Sequence, residues 1–210
     1  MKKLILSVAV LAMLSAALGP AAAAQSQQEA PSAYSMPFIH GSVPAQAAPA
    51  QAMRPALHAL TLAMLENDLA FDPQDEDFLW TSLYYMLGMY GQQDQRAVLT
   101  DDTLILPPEV ISDYAAALYP QVTELPEIPQ SIADRMTYSA QDNTYHLARG
   151  DAGLAEVAVR SAETQADGSL ALSGSLVYPV DGSALASFQA VLQPTDTMFG
   201  YVITEMTLTQ

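Results

Sequence analysis

The sequence predicts an α+β fold in which three N-terminal helices and a small hairpin pack on a curved antiparallel sheet of about five or six strands. Apolar residues recur at helical spacing from about residue 55 onwards. After about residue 133, apolar and polar residues alternate, as expected for strands that bury one face. Turn-forming aspartates and glycines separate the alternating stretches. These patterns indicate a single α+β domain over residues 53–210.

The first two helices are predicted over about 55–70 and 73–90. Asp72 suits the N-cap of the second helix, Pro73 its first position, and Asp75 the acidic position of a capping box. From Phe78 to Tyr90 almost every residue is apolar or aromatic, so this helix should be covered on most sides.

A hairpin follows, with strands on either side of Asp101 and Asp102, and a third helix is predicted over about 108–119. Long alternating strands come after it. The turns between them are expected at 141–143, 151–153, 166–168, 181–182 and 194–196.

This element order over roughly residues 55–210 resembles that of the nuclear-transport-factor-like group of folds. The resemblance is one of element order only, and no sequence motif carries it. It implies a cone-like shape in which helices cover a curved sheet, and long strands favour such curvature. A fold analogy says little about function.

The N-terminus has the pattern of a bacterial secretory signal peptide over residues 1–24. Lys2 and Lys3 precede the apolar segment Leu4–Leu18, and small residues end at Ala24. We therefore expect a periplasmic or secreted protein, with no stable membrane span after signal removal. A retained N-terminal anchor is the alternative.

Residues 25–52 are rich in Ala, Pro and Gln, which predicts a flexible tether. One apolar island, residues 34–41, interrupts it and is either incidental or a docking segment.

The charge balance excludes some partners. Cleavage would remove both lysines, so five arginines would face 23 acidic residues, a net charge of −18. Nucleic-acid binding is not expected from so acidic a chain. Cationic partners are permitted, although a solvated acidic exterior explains the same composition.

No motif indicates a catalytic residue, a metal site or a cofactor. The chain has no cysteine, no Gly-x-Ser-x-Gly, no His-Glu-x-x-His and no phosphate-binding glycine-rich loop. An acidic cluster at residues 68–77 does not match a calcium loop, and acids near a helix start are better explained by the helix dipole.

The candidate ligand-binding residues are Trp80, Tyr84, Tyr145 and His58. Trp80 and Tyr84 share one helix face, and a curved sheet would bring Tyr145 towards them. Ordinary core packing explains the same aromatic residues. His146 should face the side of its strand opposite Tyr145 and Leu147, towards solvent.

Two main hypotheses follow. The first is an exported, non-enzymatic binding or interaction module for a small apolar ligand or another protein. The second is a small-pocket enzyme of isomerase or hydrolase type, with His58 or Asp68 as the general base. An envelope-structural protein is a third possibility.

The signal-peptide hypothesis predicts a mature chain that begins at Gln25. N-terminal sequencing of protein exported by a bacterial host tests it. Recovery of the folded product with Met1 intact would contradict it.

Overall fold

The described part of the chain contains four helices and eight strands, and these strands form two sheets. The computed structural model describes residues 47–149 and 154–210, which belong to one compact unit. The elements in chain order are α1 (Ala47–Ala52), α2 (Arg54–Asn67), α3 (Glu76–Tyr90), a 3₁₀ turn (Gly91–Gln93), β1 (Val98–Leu99), β2 (Thr103–Leu106), α4 (Pro108–Leu118), β3 (Met136–Ser139), β4 (Thr144–Ala148), β5 (Glu156–Thr164), β6 (Leu170–Val177), β7 (Ala184–Pro194) and β8 (Tyr201–Thr209).

Each sheet has four antiparallel strands. The first has the order β1-β2-β4-β3, and the second has the order β5-β6-β7-β8. The α+β class is confirmed. The prediction of one sheet with five or six strands is wrong, because the described residues form two sheets with eight strands in total. The predicted hairpin is present as β1 and β2, but it does not stand alone, because β2 also pairs with β4.

Helix α3 is the most enclosed element of the described chain. Every residue from Phe78 to Leu87 is buried, which confirms the prediction that this apolar helix is covered on most sides. Trp80 and Leu83 are completely buried. Burying a large apolar side chain contributes roughly 1.5–3 kcal/mol, so α3 supplies a large part of the core energy.

The N-terminus of α3 differs from the prediction. The helix starts at Glu76 and its N-cap is Asp75, whose Oδ1 accepts a hydrogen bond from the amide of Phe78 at 2.8 Å. Asp72 lies in a preceding turn, where its Oδ1 accepts from the amide of Gln74 at 2.9 Å. Both aspartates satisfy the rule for a cap, and Pro73 suits a turn as well as a first helical position.

The predicted tether over 25–52 is too long at its C-terminal end. Residues 47–52 form α1, and Ala50 and Met53 are buried. Because alanine is the best helix former, this Ala-rich end can continue towards α2 once it has a surface to pack on. The predicted signal peptide over 1–24, residues 25–46 with their apolar island, and the turn expected at 151–153 lie outside the described residues.

The turn expected at 194–196 lies a little later, because β7 runs to Pro194 and β8 begins at Tyr201. The other three turns in the described residues agree with the prediction. Asn143, Gly168 and Gly182 adopt positive φ angles of 53°, 85° and 74°. These are left-handed conformations that Asn and Gly adopt most readily.

The second sheet packs one face on the helices and leaves the other free of them. Leu172, Ala190 and Met206 lie side by side in register and are buried in the core. Residues one position along each strand face away from the core. No helix in the described part of the chain is long and apolar enough to cross a membrane.

Close packing of β5, β6 and β7 requires glycine at position 174. A Cβ there would lie 2.5 Å from Cζ of Phe188 and 2.7 Å from the carbonyl oxygen of Ala158. We predict that Gly174→Ala lowers the free energy of unfolding by about 1–3 kcal/mol, because the backbone contact cannot be relieved by rotating a side chain. Urea denaturation measures this change.

The matched control is Gly88→Ala on the exposed side of α3, where a Cβ meets nothing within 4 Å. It should raise the free energy of unfolding by about 0.5–1 kcal/mol, since alanine is the better helix former. An equal loss of stability in the two variants would contradict the packing argument.

Candidate functional site

The predicted aromatic residues form a group that runs from the core to the surface of the first sheet. The ring centroids of Trp80 and Tyr145 are 6.0 Å apart, and Tyr145 is 4.9 Å from Tyr138. Trp80 is completely buried, Tyr145 is half-buried, and Tyr138 is exposed. The structure thus brings Trp80 and Tyr145 together, and only the outer rings of this group face solvent.

Tyr84 is buried beside this group and belongs to a polar network. Its hydroxyl donates to the carbonyl of Ala148 at 3.3 Å, and the guanidinium of Arg135 lies 5.1 Å from the centre of its ring. Burial raises the pKa of the Tyr84 hydroxyl above its usual value, so the neutral form is strongly favoured. These contacts tie α3 to the chain around β3 and β4.

The neighbouring Tyr85 extends the network to the end of α2. Its hydroxyl donates to Oε2 of Glu66 at 2.6 Å and accepts from Nδ2 of Asn67 at 3.3 Å. Burial, and then the hydrogen bond to the Glu66 carboxylate, raise the pKa of Tyr85. The network fixes two helices against each other.

His58 lies apart from the three aromatic candidates, at the meeting point of α2, α3 and β5. Its Nδ1 is 3.3 Å from the hydroxyl of Tyr90, while its buried Nε2 has no hydrogen-bond partner among the described residues. One turn earlier on α2, Arg54 donates to the carbonyl of Val157 at 2.8 Å. Burial lowers the pKa of His58 below the usual histidine value.

The open face of the second sheet carries a groove that the sequence did not reveal. We call it the sheet groove, and its volume is about 300 Å³. It is lined by residues of all four strands: Ser161, Glu163, Ala171, Leu172, Ser173, Gln189, Ala190, Val191, Glu205, Met206 and Thr207. No lysine or arginine is among these lining residues.

A second groove, of about 410 Å³, lies between the start of α3 and the segment that follows α4. Pro73, Glu76 and Leu79 line one side, and Val122, Glu124 and Pro126 are among the residues on the other.

The remaining candidates for chemistry are dispersed. Asp68 is exposed at the C-terminal end of α2 with a φ angle of 53°. His146 alternates with Tyr145 and Leu147 along β4, but it is half-buried and does not lie fully in solvent as predicted. Its Nε2 is 3.0 Å from Oγ1 of Thr144. Within residues 47–149 and 154–210, no three His, Asp or Glu side chains are grouped closely enough to hold a metal ion.

The comparisons with known proteins give no relative for this chain: no protein-family model, no curated protein and no solved structure matches it.

Proposed function

We propose that this protein is an exported, non-enzymatic binding module whose sheet groove holds an extended, positively charged segment of another protein. The observation that carries the proposal is the arrangement of charge in the groove. Glu163 and Glu205 lie on the two outer strands, and the groove has no positive residue to neutralise them.

The strand register defines the spacing of these carboxylates. Glu163 pairs with Ala171, Ala171 with Val191, and Val191 with Glu205, so the four residues form one row across the sheet. Three strand spacings separate the glutamates by about 14 Å. An extended chain rises about 3.4 Å per residue, so basic side chains four residues apart match this distance.

The adjacent row supplies hydrogen-bonding groups. It consists of Ser161, Ser173, Gln189 and Thr207 in register across the four strands. The hydroxyls of Ser161 and Ser173 are 2.7 Å apart. Hydroxyl and amide groups both donate and accept, so they can pair with the peptide groups of a bound chain.

The use of arginine within the fold supports a cationic partner. Four of the five arginines in the predicted mature chain contact the protein itself: Arg54 bonds Val157, Arg96 bonds Asp94 and Asp113, Arg135 bonds Asn67, and Arg149 bonds the carbonyl of Thr100. Most of the positive charge is therefore committed to internal contacts. The excess of negative charge would attract cationic segments and repel anionic ones.

The sheet groove is a better candidate than the aromatic residues for the binding surface. Trp80 and Tyr84 are buried, so a ligand would have to displace core packing to touch them. His58 lies apart from Tyr145, so the predicted candidates do not form one pocket for a small apolar ligand. A cone-like curvature of the second sheet, as expected from its long strands, belongs to this proposal.

The test uses a fluorescent peptide, Lys-Thr-Val-Thr-Lys, in which the lysines are four residues apart. We expect binding that weakens as salt is added, because screening acts on exposed charges. The double variant Glu163→Gln, Glu205→Gln should weaken binding about tenfold, which corresponds to about 1.4 kcal/mol. Fluorescence anisotropy measures both effects.

The control is the double variant Glu109→Gln, Glu127→Gln, which removes the same charge at exposed positions outside the groove. The affinity of this control for the peptide should stay within about twofold of that of the unsubstituted chain, because exposed charges outside the site contribute little. If the two double variants weaken binding equally, the peptide senses only net charge and the groove is not its site.

A further inference from the structure

The junction of α2, α3 and β5 contains a half-buried histidine that the proposed function does not use. His58 reaches Tyr90 on α3 through Nδ1, at 3.3 Å, and its ring lies edge-on to that tyrosine ring. The Nε2 atom is buried and has no hydrogen-bond partner in the described part of the chain. A neutral imidazole tolerates this environment because an unprotonated Nε2 needs no acceptor.

The same junction holds the start of β5 against α2. Arg54 lies four residues before His58 on α2, so the two side chains share a helix face. Its Nη2 donates to the carbonyl of Val157 at 2.8 Å, on the outer strand of the second sheet. This hydrogen bond joins α2 to the strand at its exposed edge.

The charged and titratable groups around His58 come from three elements. Arg54 and Glu66 lie on α2, Tyr90 lies on α3, and Glu156 precedes Val157 on β5. The two glutamates favour a positive imidazole and Arg54 opposes it, but removal of the ring from water is the largest effect on its pKa. The junction therefore holds His58 in its neutral form near neutral pH.

We propose that His58 is the acid-sensitive part of a latch between α2 and β5, and that protonation of its imidazole loosens the start of β5. Protonation turns Nε2 into a buried donor without an acceptor among the described residues, which is costly. It also places a second positive charge, on His58, one helical turn from Arg54. Arg54 is the side chain whose hydrogen bond holds Val157. The first change destabilises the junction around the ring, and the second weakens the hold of Arg54 on the start of β5.

The direction of the pH dependence follows from the lowered pKa. The unfolded chain binds a proton at His58 more readily than the folded chain, so the stabilisation is complete above about pH 6.5. It is lost as the pH falls below that value. The latch closes at neutral pH and opens in acid, whether or not the sheet groove binds a peptide.

The test is hydrogen–deuterium exchange of the whole exported protein at pH 7.5 and pH 5, corrected for the intrinsic effect of pH on exchange. Amides of β5 near Val157 should lose about tenfold in protection at the lower pH. Amides in the centre of β7 should lose much less. His58→Gln should abolish this difference, since the glutamine cannot titrate.

His146→Gln is the control, because His146 lies on the first sheet with Thr144 as its partner. It should retain the acid-induced loosening of β5. The proposal is overturned if His58→Gln loosens in acid as much as the unsubstituted chain, or if all strands of the second sheet lose protection equally.

A second measurement needs no variant and covers the case in which His58→Gln does not fold. Nuclear magnetic resonance can follow the His58 ring, identified by its contact with Tyr90, through a pH titration. We expect a midpoint below 6.5. A midpoint at or above 6.5 would show that the junction accepts the charged ring, which contradicts the latch.

Discussion

The enclosure of α3 is the constraint on which the rest of the structure depends. Most sides of this helix are occupied by other elements. The hydroxyl of Tyr85 donates a hydrogen bond to Glu66 near the end of α2. Ser82 is hydrogen-bonded to Tyr119, which directly follows α4, and Trp80 packs on Tyr145 of the first sheet. Tyr119 is fully buried, and burial raises the pKa of its hydroxyl. Such a helix cannot move without breaking contacts with several neighbours.

The enclosure also determines where function can be located. The largest aromatic side chains are part of the packing that holds the helices and the first sheet together. Substituting these side chains would lower the stability of the fold more than it would change any exposed surface. The surfaces that remain open are the outer faces of the sheets and the grooves beside them. This is why the second sheet, whose strands present small and polar side chains, is the surface proposed for binding.

The sheet groove and the His58 junction share one strand. β5 contributes Ser161 and Glu163 to the groove, and its first residues are held by Arg54. Loosening the start of β5 would disturb one wall of the groove. The proposed binding surface and the proposed latch are thus joined through a single outer strand, although each rests on different contacts.

Local patterns predicted much of the fold. The apolar run from Phe78 identified a covered helix, and the Asp and Gly signals placed most turns. Local patterns could not decide between Asp72 and Asp75 as the cap of α3, because both satisfy the same rule. They also could not divide the strands between two sheets, because the pairing of β2 with β4 spans the whole of α4.

The site was harder to predict than the fold. Glu163 and Glu205 are far apart in the sequence, and only the register of three strand pairs places them in one row. His58 was identified as a candidate because it lies among leucines on a helix. Its Tyr90 contact and its proximity to β5 depend on tertiary packing, which no local spacing encodes.

The most direct test of the account uses Trp80, the only tryptophan in the chain. Since its side chain is completely buried in the core around α3, its fluorescence reports on the enclosure of that helix without interference from another tryptophan. We expect an emission maximum at shorter wavelength than in the urea-unfolded chain, and little quenching by acrylamide. Emission and quenching equal to those of the unfolded chain would show that α3 is not enclosed and would contradict the account.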